Sequence, residues 1–466
     1  MSSDSIALMA HLMRRAGFGA TRDELERYVE KGYDATVEDL LHPGAPGDFA
    51  EDVQKRRSVG FDEGGAAGAN WMVRMIHSNN PLEEKMTLFL HGLFPVRYMS
   101  QGRALINQTD TFRRHALGSF HDLLAALSRD PAMLLFLNNN DNHMDAVNEN
   151  YGRELIELFS MGIGNYTEQD VKECARAFTG WTLGNADYMA VRAGKNSFDP
   201  YGSISWHFQY LPEDHDDTEK TFLGETGRFN GEDIIEIIAR QPDAARFICT
   251  RLFQYFAADE VDEDGERVID EMVAAYFASG HEISSLLRTL FQSDYFKSPL
   301  ARYARVKGPV ELVVGAVRMA GSYPTPEMGV GGINGAVGLM GQGLFSPPSV
   351  EGWHEGREWI ETGSLVERVN FISKEFRDVS KSGVRRIIQR LAEHNGGRLT
   401  PEELVDWCVD LVGPVAVSDE TRSALIDHVA TRGVVDLRGH EQGDESESRV
   451  GEVLGLIAAA PEYQME

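Results

Sequence analysis

A mainly α-helical chain with a small β-hairpin or extended insertion is the fold this sequence predicts, and three observations predict it. Apolar residues recur at helical spacing through most of the 466 residues, helix-opening signals repeat along the chain, and strand-like alternation is confined to about 184–230. Thr21 with Glu24 makes a capping box before RDELERYVEKG, which Gly32 can close, and Thr167 with Asp170 opens QDVKECARAFTGW in the same way. Proline suits a first helical turn, where its missing N–H has no intrahelical partner to lose. Pro81, Pro131 and Pro242 therefore open LEEKMTLFLHGLF, AMLLFL and DAARFICTRLFQYFAA. Further helices are predicted over 265–278, 305–319, 364–375, 384–394, 401–411, 419–430 and 448–459. Within the insertion ISWHFQY alternates between flanks rich in Gly, Pro and Asp. Residues 321–363 read as an irregular glycine-rich stretch held to the body by Trp353 and Trp359, and 439–449 as a solvated acidic linker.

At this length one large domain over 1–466 is expected, or two packed lobes of about 1–183 and 231–466 around the insertion. Charge narrows the partners: 45 Lys and Arg against 73 Asp and Glu give 45 − 73 = −28, a field that repels phosphate backbones and excludes nucleic acid. Such an acidic excess suits a well-solvated surface. Cys174, Cys249 and Cys408 lie far apart in apolar helical contexts, so they read as core thiols and not as a disulfide framework or a zinc site. There is no basic segment followed by an apolar one at the start, and no run of 18 apolar residues. As written the chain is expected to be cytoplasmic and to span no membrane; a removed leader would make it an exported protein.

Three polar constellations carry candidate chemistry. In NENYGRELIELF, helical spacing puts Asn150, Arg153, Glu154 and Glu157 on one stripe beside the apolar arc of Tyr151, Leu155 and Leu158. Two carboxylates three residues apart can share a cation, hold a proton between them or pair with Arg153; the same pattern also fits a solvated face or an internal Arg–Glu clamp. In LEEKMTLFLHGLF, Glu84 and His91 are seven residues apart, on one face but roughly 10 Å apart along the axis. That spacing suits His91 as a metal ligand with Glu84 behind it, or a histidine simply buried in the core. In HDDTEKTFLG, His215, Asp216, Asp217 and Lys220 form either acid–base equipment or a polar turn. Two inward carboxylates need a compensating charge, so this loop is expected to return to the Glu154 and Glu157 pair and offer Lys220 or His215. Lys195, in a polar stretch, has no such role. P-loop, GxSxG, HExxH and GxGxxG motifs are absent.

The same blocks carry a resemblance. HLMRRAGFGAT, LEEKMTLFLHGLF, FRRHALGSFHDLLAALSRDPAMLLFL, NENYGRELIELFSMGIGNYTEQDVKECARAFTGWT, HDDTEKTFLG, KGPVELVVGAVR, SPPSVEGWHEGREWI and AAPEYQ follow one another along nearly the whole chain. Together they resemble the bacterial family named as the domain of unknown function 1800. The resemblance implies no settled activity. It implies that many members are exported and that they often accompany a partner family similar to sulfatases and alkaline phosphatases. This sequence has Leu93 where the family commonly has a second His, Asn138 where it has an Asp and Thr218 where it has a Gly. Chemistry that depends on that His or that Asp is not implied here.

Two functions from different classes follow. One is an enzyme whose buried Glu, His and Lys site, with or without a divalent metal, performs hydrolysis or group transfer on a polar substrate such as a carbohydrate. The other is a noncatalytic helical scaffold that binds its phosphatase- or sulfatase-like partner, or a surface polymer, through a loop bearing Trp353 and Trp359. Convergence of the three constellations in one pocket would favour the enzyme.

Overall fold

Capping chemistry cuts the chain into many short helices. The computed structural model describes residues 2–45, 64–97, 102–185, 206–325, 330–438 and 445–466. The first half holds α1 (Ser3–Arg15), α2 (Arg22–Lys31), α3 (Tyr33–Leu41), α4 (Gly64–His77), α5 (Pro81–Leu93), α6 (Gly102–His115), α7 (Phe120–Ser128), α8 (Pro131–Phe136), α9 (Asn150–Glu157) and α10 (Glu168–Ala177). Both expected capping boxes form, at Thr21 with Glu24 and at Thr167 with Asp170, and Pro81 and Pro131 sit in first turns.

Two antiparallel hairpins follow. β1 (Trp181–Gly184) pairs with β2 (His207–Tyr210), with Trp181 opposite Tyr210, and β3 (Lys220–Phe222) pairs with β4 (Glu225–Gly227). The alternation of HFQY is thus a strand of the expected insertion; its residues 186–205, Lys195 among them, lie outside the described residues. Then come α11 (Gly231–Ala239), α12 (Pro242–Phe256), α13 (Glu263–Ser279), α14 (Ile283–Gln292), α15 (Asp294–Lys297), α16 (Pro309–Ala320), α17 (Val330–Leu339), α18 (Thr362–Arg377), α19 (Ser382–Glu393), β5 (Arg398–Leu399), α20 (Pro401–Leu411), α21 (Asp419–Ala430), β6 (Val435–Asp436) and α22 (Glu445–Ala459). β5 and β6 pair antiparallel. The protein is mainly α with small β hairpins, and among the described residues no helix is long and apolar enough to cross a membrane.

The apolar residues gather into two large clusters that share α16. Val310, Val313, Val314 and Val317 face the first, which reaches back to α1, while Leu312, Ala316, Met319 and Ala320 face the second, which reaches forward to α22. Spacings of three and four residues give one helix two apolar faces, so α16 is buried all round. Cys174, Cys249 and Cys408 are all buried, and burial pushes each thiol up.

Three expectations need correction. The helix expected from 305 begins at Pro309, because Val306 is extended and bridges to Met465. The glycine-rich 321–363 stretch contains the helix α17, which packs on α4 where Gly68 lets the side chain of Asn334 approach; a Cβ on Gly68 would lie 2.6 Å from its Oδ1. The acidic linker is helical from Glu445, and Glu447 within it is fully buried with Arg385 3.6 Å away. Its residues 439–444 lie outside the described residues.

Candidate functional site

On α9 the apolar arc is buried as its spacing requires, with Tyr151, Leu155 and Ile156 in the core. Tyr151 donates to the Ser128 hydroxyl at 2.6 Å, which fixes the helix to α7. Gly152 brings α9 against α10: a Cβ there would lie 2.9 Å from the Ala175 amide nitrogen. Of the adjoining polar stripe, Arg153, Glu154 and Glu157 are half-buried and Asn150 is exposed. Asn150 donates to the carbonyl of Leu137 at 3.1 Å. Arg153 turns away from its two glutamate neighbours and donates to Glu168 at 3.0 and 2.8 Å. Burial, then the neighbouring Glu157, then Glu351 raise the Glu154 carboxyl above its ordinary range against the pull of Arg153. Glu157 accepts a hydrogen bond from the Tyr166 hydroxyl.

Glu157 opens onto a cleft of about 380 Å³, shared with Leu93, Phe247, Arg251, Glu351 and Ile163. Ile163 is 77% exposed at its rim. Leu93, which stands where the resembled pattern has a second His, is therefore a wall of this cleft.

The HDDTEKTFLG loop goes elsewhere. It packs on α10 rather than on α9, so the expected meeting of Lys220 or His215 with Glu154 and Glu157 does not occur. Arg176 of α10 donates to Asp216 at 2.7 Å. Burial works to raise Asp216, but Arg176 and Thr218 outweigh it and hold the carboxyl well below the carboxylate range. His215 is buried with Nδ1 donating to the Thr179 carbonyl at 3.0 Å. Lys220 donates to the carbonyls of Asp216 and Thr218, closing the turn on itself. Asp217 stays at the surface, 3.4 Å from Arg228. The physical reason for the correction is local: α10 brings Arg176 to Asp216, and the turn's own carbonyls satisfy Lys220.

Glu84 and His91 are both fully buried on α5, in separate surroundings. Glu84 accepts from Trp71 Nε1 at 2.9 Å, Arg74 Nε at 3.3 Å and Arg113 Nε at 2.8 Å, so its oxygens are engaged in a structural clamp. His91 Nε2 accepts from the Phe345 amide at 3.1 Å, which leaves the ring proton on Nδ1. Trp71, Phe345 and Trp353 pack about the imidazole with centroids 5.3, 5.1 and 5.1 Å away, and burial pushes its pKa down to about 3. The metal site expected from these two residues is thereby corrected. Among the described residues no three His, Cys, Asp or Glu side chains converge as the ligands of a metal ion would.

The stretch around Trp353 and Trp359 lies against the helical body, as expected. Both indoles are buried, Trp353 beside His91 and Trp359 against Val306 and Gly308. Their burial gives a binding-loop role no exposed indole to rest on.

One constellation escaped the sequence altogether. Arg15, Lys85, Arg305, Lys307 and Arg368 are buried together with Glu311 and Glu466. Arg305 Nη1 donates to both Glu311 oxygens at 2.9 and 2.8 Å and also reaches Glu466, while Lys85 pairs with Glu311. Burial works to raise Glu311, but Arg305 and Lys85 hold it well below the carboxylate range. Arg15 Nη2 donates to the main-chain oxygens of Ala257, Ala301 and Glu466 at 2.8, 2.9 and 2.6 Å. Arg368 donates to Gln464 at 2.9 Å and to the Lys307 carbonyl at 2.8 Å. The signal available in the sequence is a charged residue inside an apolar helical run: Arg15 in HLMRRAGF and Glu311 in PVELVVGA.

Chemically, the cleft offers Glu157 with its phenol donor, and Glu351 and Arg251 on its wall. The raised Glu154 carboxyl lies one helical turn from Glu157 and is not itself a lining residue. The buried cluster offers positive charge beside a second, smaller pocket. No curated protein and no solved structure matches the chain. The family described as protein of unknown function DUF1800 matches residues 11–465, nearly the whole length, and the chain belongs to that family.

Proposed function

We propose that this chain is an acid–base enzyme acting on a polar, carbohydrate-class substrate in the cleft beside Glu154 and Glu157. The observation that carries this reading is Glu157, hydrogen-bonded by Tyr166, on the wall of a cleft of about 380 Å³, with the raised Glu154 carboxyl one helical turn away on α9. A carboxyl that keeps its proton nearer neutrality can deliver it to a leaving oxygen, and a neighbouring carboxylate can stabilise the positive charge that develops or take a proton from water. A cleft of this volume accommodates one or two sugar rings. Glu157 and Glu351 on its wall face a single Arg251, which favours an uncharged substrate over an anionic one. Asn150 and Arg153 hold the stripe in place; His215, Asp216 and Lys220 support α10 and stay outside the reaction.

The experiment is turnover of a panel of neutral oligosaccharides and glycosides by the full chain. Expected is hydrolysis or transfer of at least one, reduced about 100-fold or more in both Glu154→Gln and Glu157→Gln with the fold intact. Turnover that survives in both variants, or a wild-type chain inert on the whole panel, contradicts it.

A second reading is favoured by one observation: Ile163, 77% exposed on the rim of the same cleft, offers an apolar contact to a protein. There the chain would be a noncatalytic scaffold for a phosphatase- or sulfatase-like partner. Pull-down of such a partner by the wild type and its loss with Ile163→Asp would support the scaffold.

A further inference from the structure

Three sequence blocks that the cleft does not use, HLMRRAGFG, KGPVE and PEYQ, meet around the smaller pocket. Arg14, Lys307, Tyr463, Glu311 and Glu466 all line it. Its volume of about 40 Å³ is room for a group the size of a few waters.

The charges beneath this pocket do not balance. Five buried cations, Arg15, Lys85, Arg305, Lys307 and Arg368, face two buried carboxylates, Glu311 and Glu466, a difference of 5 − 2 = +3. Half-buried Asp259 lowers the excess by one, and an ionised main-chain carboxyl at residue 466 would lower it by one more, still leaving it positive. An excess of buried positive charge is costly unless a counter-charge enters.

Part of that excess faces the pocket through Lys307, beside Arg14. Glu311 lines it but is already satisfied by Arg305, Lys85 and the Gly308 amide at 2.6 Å, and Glu466 is turned to Arg305. Lys307 Nζ donates to the Tyr463 carbonyl at 2.6 Å and lies 4.1 Å from the centre of its ring; its other two protons have no acceptor among the described residues. Arg14 Nε is shielded and unpartnered, and its Nη1 reaches the carbonyls of Gly413 and Pro414 only at 3.5 and 3.4 Å. Burial, and then the charge of Arg14, push the Lys307 ammonium down to about 7. Two cations therefore line one pocket whose acidic side chains, Glu311 and Glu466, already pair with Arg305.

We propose that this pocket binds a small oxyanion, of phosphate or carboxylate type, bridging Arg14 and Lys307. The guanidinium supplies a planar fork and the ammonium a point charge, the pairing that recognises such anions. Bound there, the anion compensates the cluster that joins α1, α16 and the segment after α22, and it shifts the partly deprotonated Lys307 toward its charged form.

Calorimetric titration of the full chain with inorganic phosphate and, separately, with acetate tests this at pH 7 and constant ionic strength set by chloride. Expected is one saturable site for at least one of the two, with net proton uptake seen as a buffer-dependent heat. Phosphate alone would mark a tetrahedral ligand, and acetate alone a planar one. Affinity should fall about tenfold or more in Arg14→Gln and be lost in Lys307→Met. Arg14 is half-exposed, so its variant decides the matter even if Lys307→Met does not fold. No saturable heat for either anion in the wild type, or equal binding in Arg14→Gln, overturns the proposal.

Discussion

Arg113 Nε donates to Glu84 Oε1 at 2.8 Å between α6 and α5, and the carboxylate it holds is fully buried. Removing one member of a buried pair leaves the other's charge without a partner, and Glu84 serves Arg74 as well. Glu84→Gln is therefore expected to destabilise the chain by about 3–5 kcal/mol in denaturant unfolding. A loss below about 1 kcal/mol would mean that the clamp does not form.

The contact of Gly152 with Ala175 is equally specific. A Cβ 2.9 Å from the Ala175 amide nitrogen cannot be accommodated unless α9 and α10 move apart. Gly152→Ala should cost about 1–3 kcal/mol by the same measurement, despite the better helix propensity of alanine. A neutral or stabilising result would show that the two helices are looser than their geometry.

His91 makes stability depend on pH in a definite direction. Its folded pKa is pushed down to about 3, whereas an unfolded histidine titrates near 6.5. Between those values the unfolded chain binds the additional proton. Its contribution is thus fully present above about pH 6.5 and is lost as pH falls toward about 3. Between pH 6.5 and 5 the wild type should lose about 2 kcal/mol more than His91→Gln. Parallel stability curves for the two proteins would contradict the buried neutral imidazole.

Lys220→Met separates the turn from the cleft. The substitution strips the Asp216 and Thr218 carbonyls of their donor and should destabilise by about 1–3 kcal/mol. Chemistry at Glu154 should persist in the folded fraction. Complete loss of cleft activity in a stably folded Lys220→Met protein would reunite the two motifs.

How much of this was legible in the sequence depended on distance along the chain. The capping boxes at Thr21 and Thr167, the first-turn prolines and the alternation of HFQY report on structure within a few residues, and each formed as read. The two-faced polar and apolar pattern of α9 also placed Tyr151 and Leu155 inside. Beyond that range the reading failed for identifiable reasons. Glycine spacing in 330–339 suggested irregular backbone, because the need of α4 for a close neighbour at Gly68 is invisible locally. Charge balance alone points Lys220 to Glu154, yet in the fold the carbonyls of Asp216 and Thr218 satisfy it while Arg176 pairs with Asp216. Arg15 and Glu466 stand 451 residues apart and their contact has no local signature.

Glu154 itself provides the most direct test. In the full chain with ¹³C-labelled glutamate carboxyls, assigned by Glu154→Gln, the carboxyl titration is followed by NMR in the wild type and in Glu157→Gln. Expected is a midpoint above about 4.3, the ordinary glutamate value, that drops when the Glu157 charge is removed. A Glu154 that titrates at or below the ordinary value, unmoved by Glu157→Gln, would contradict the acid–base site.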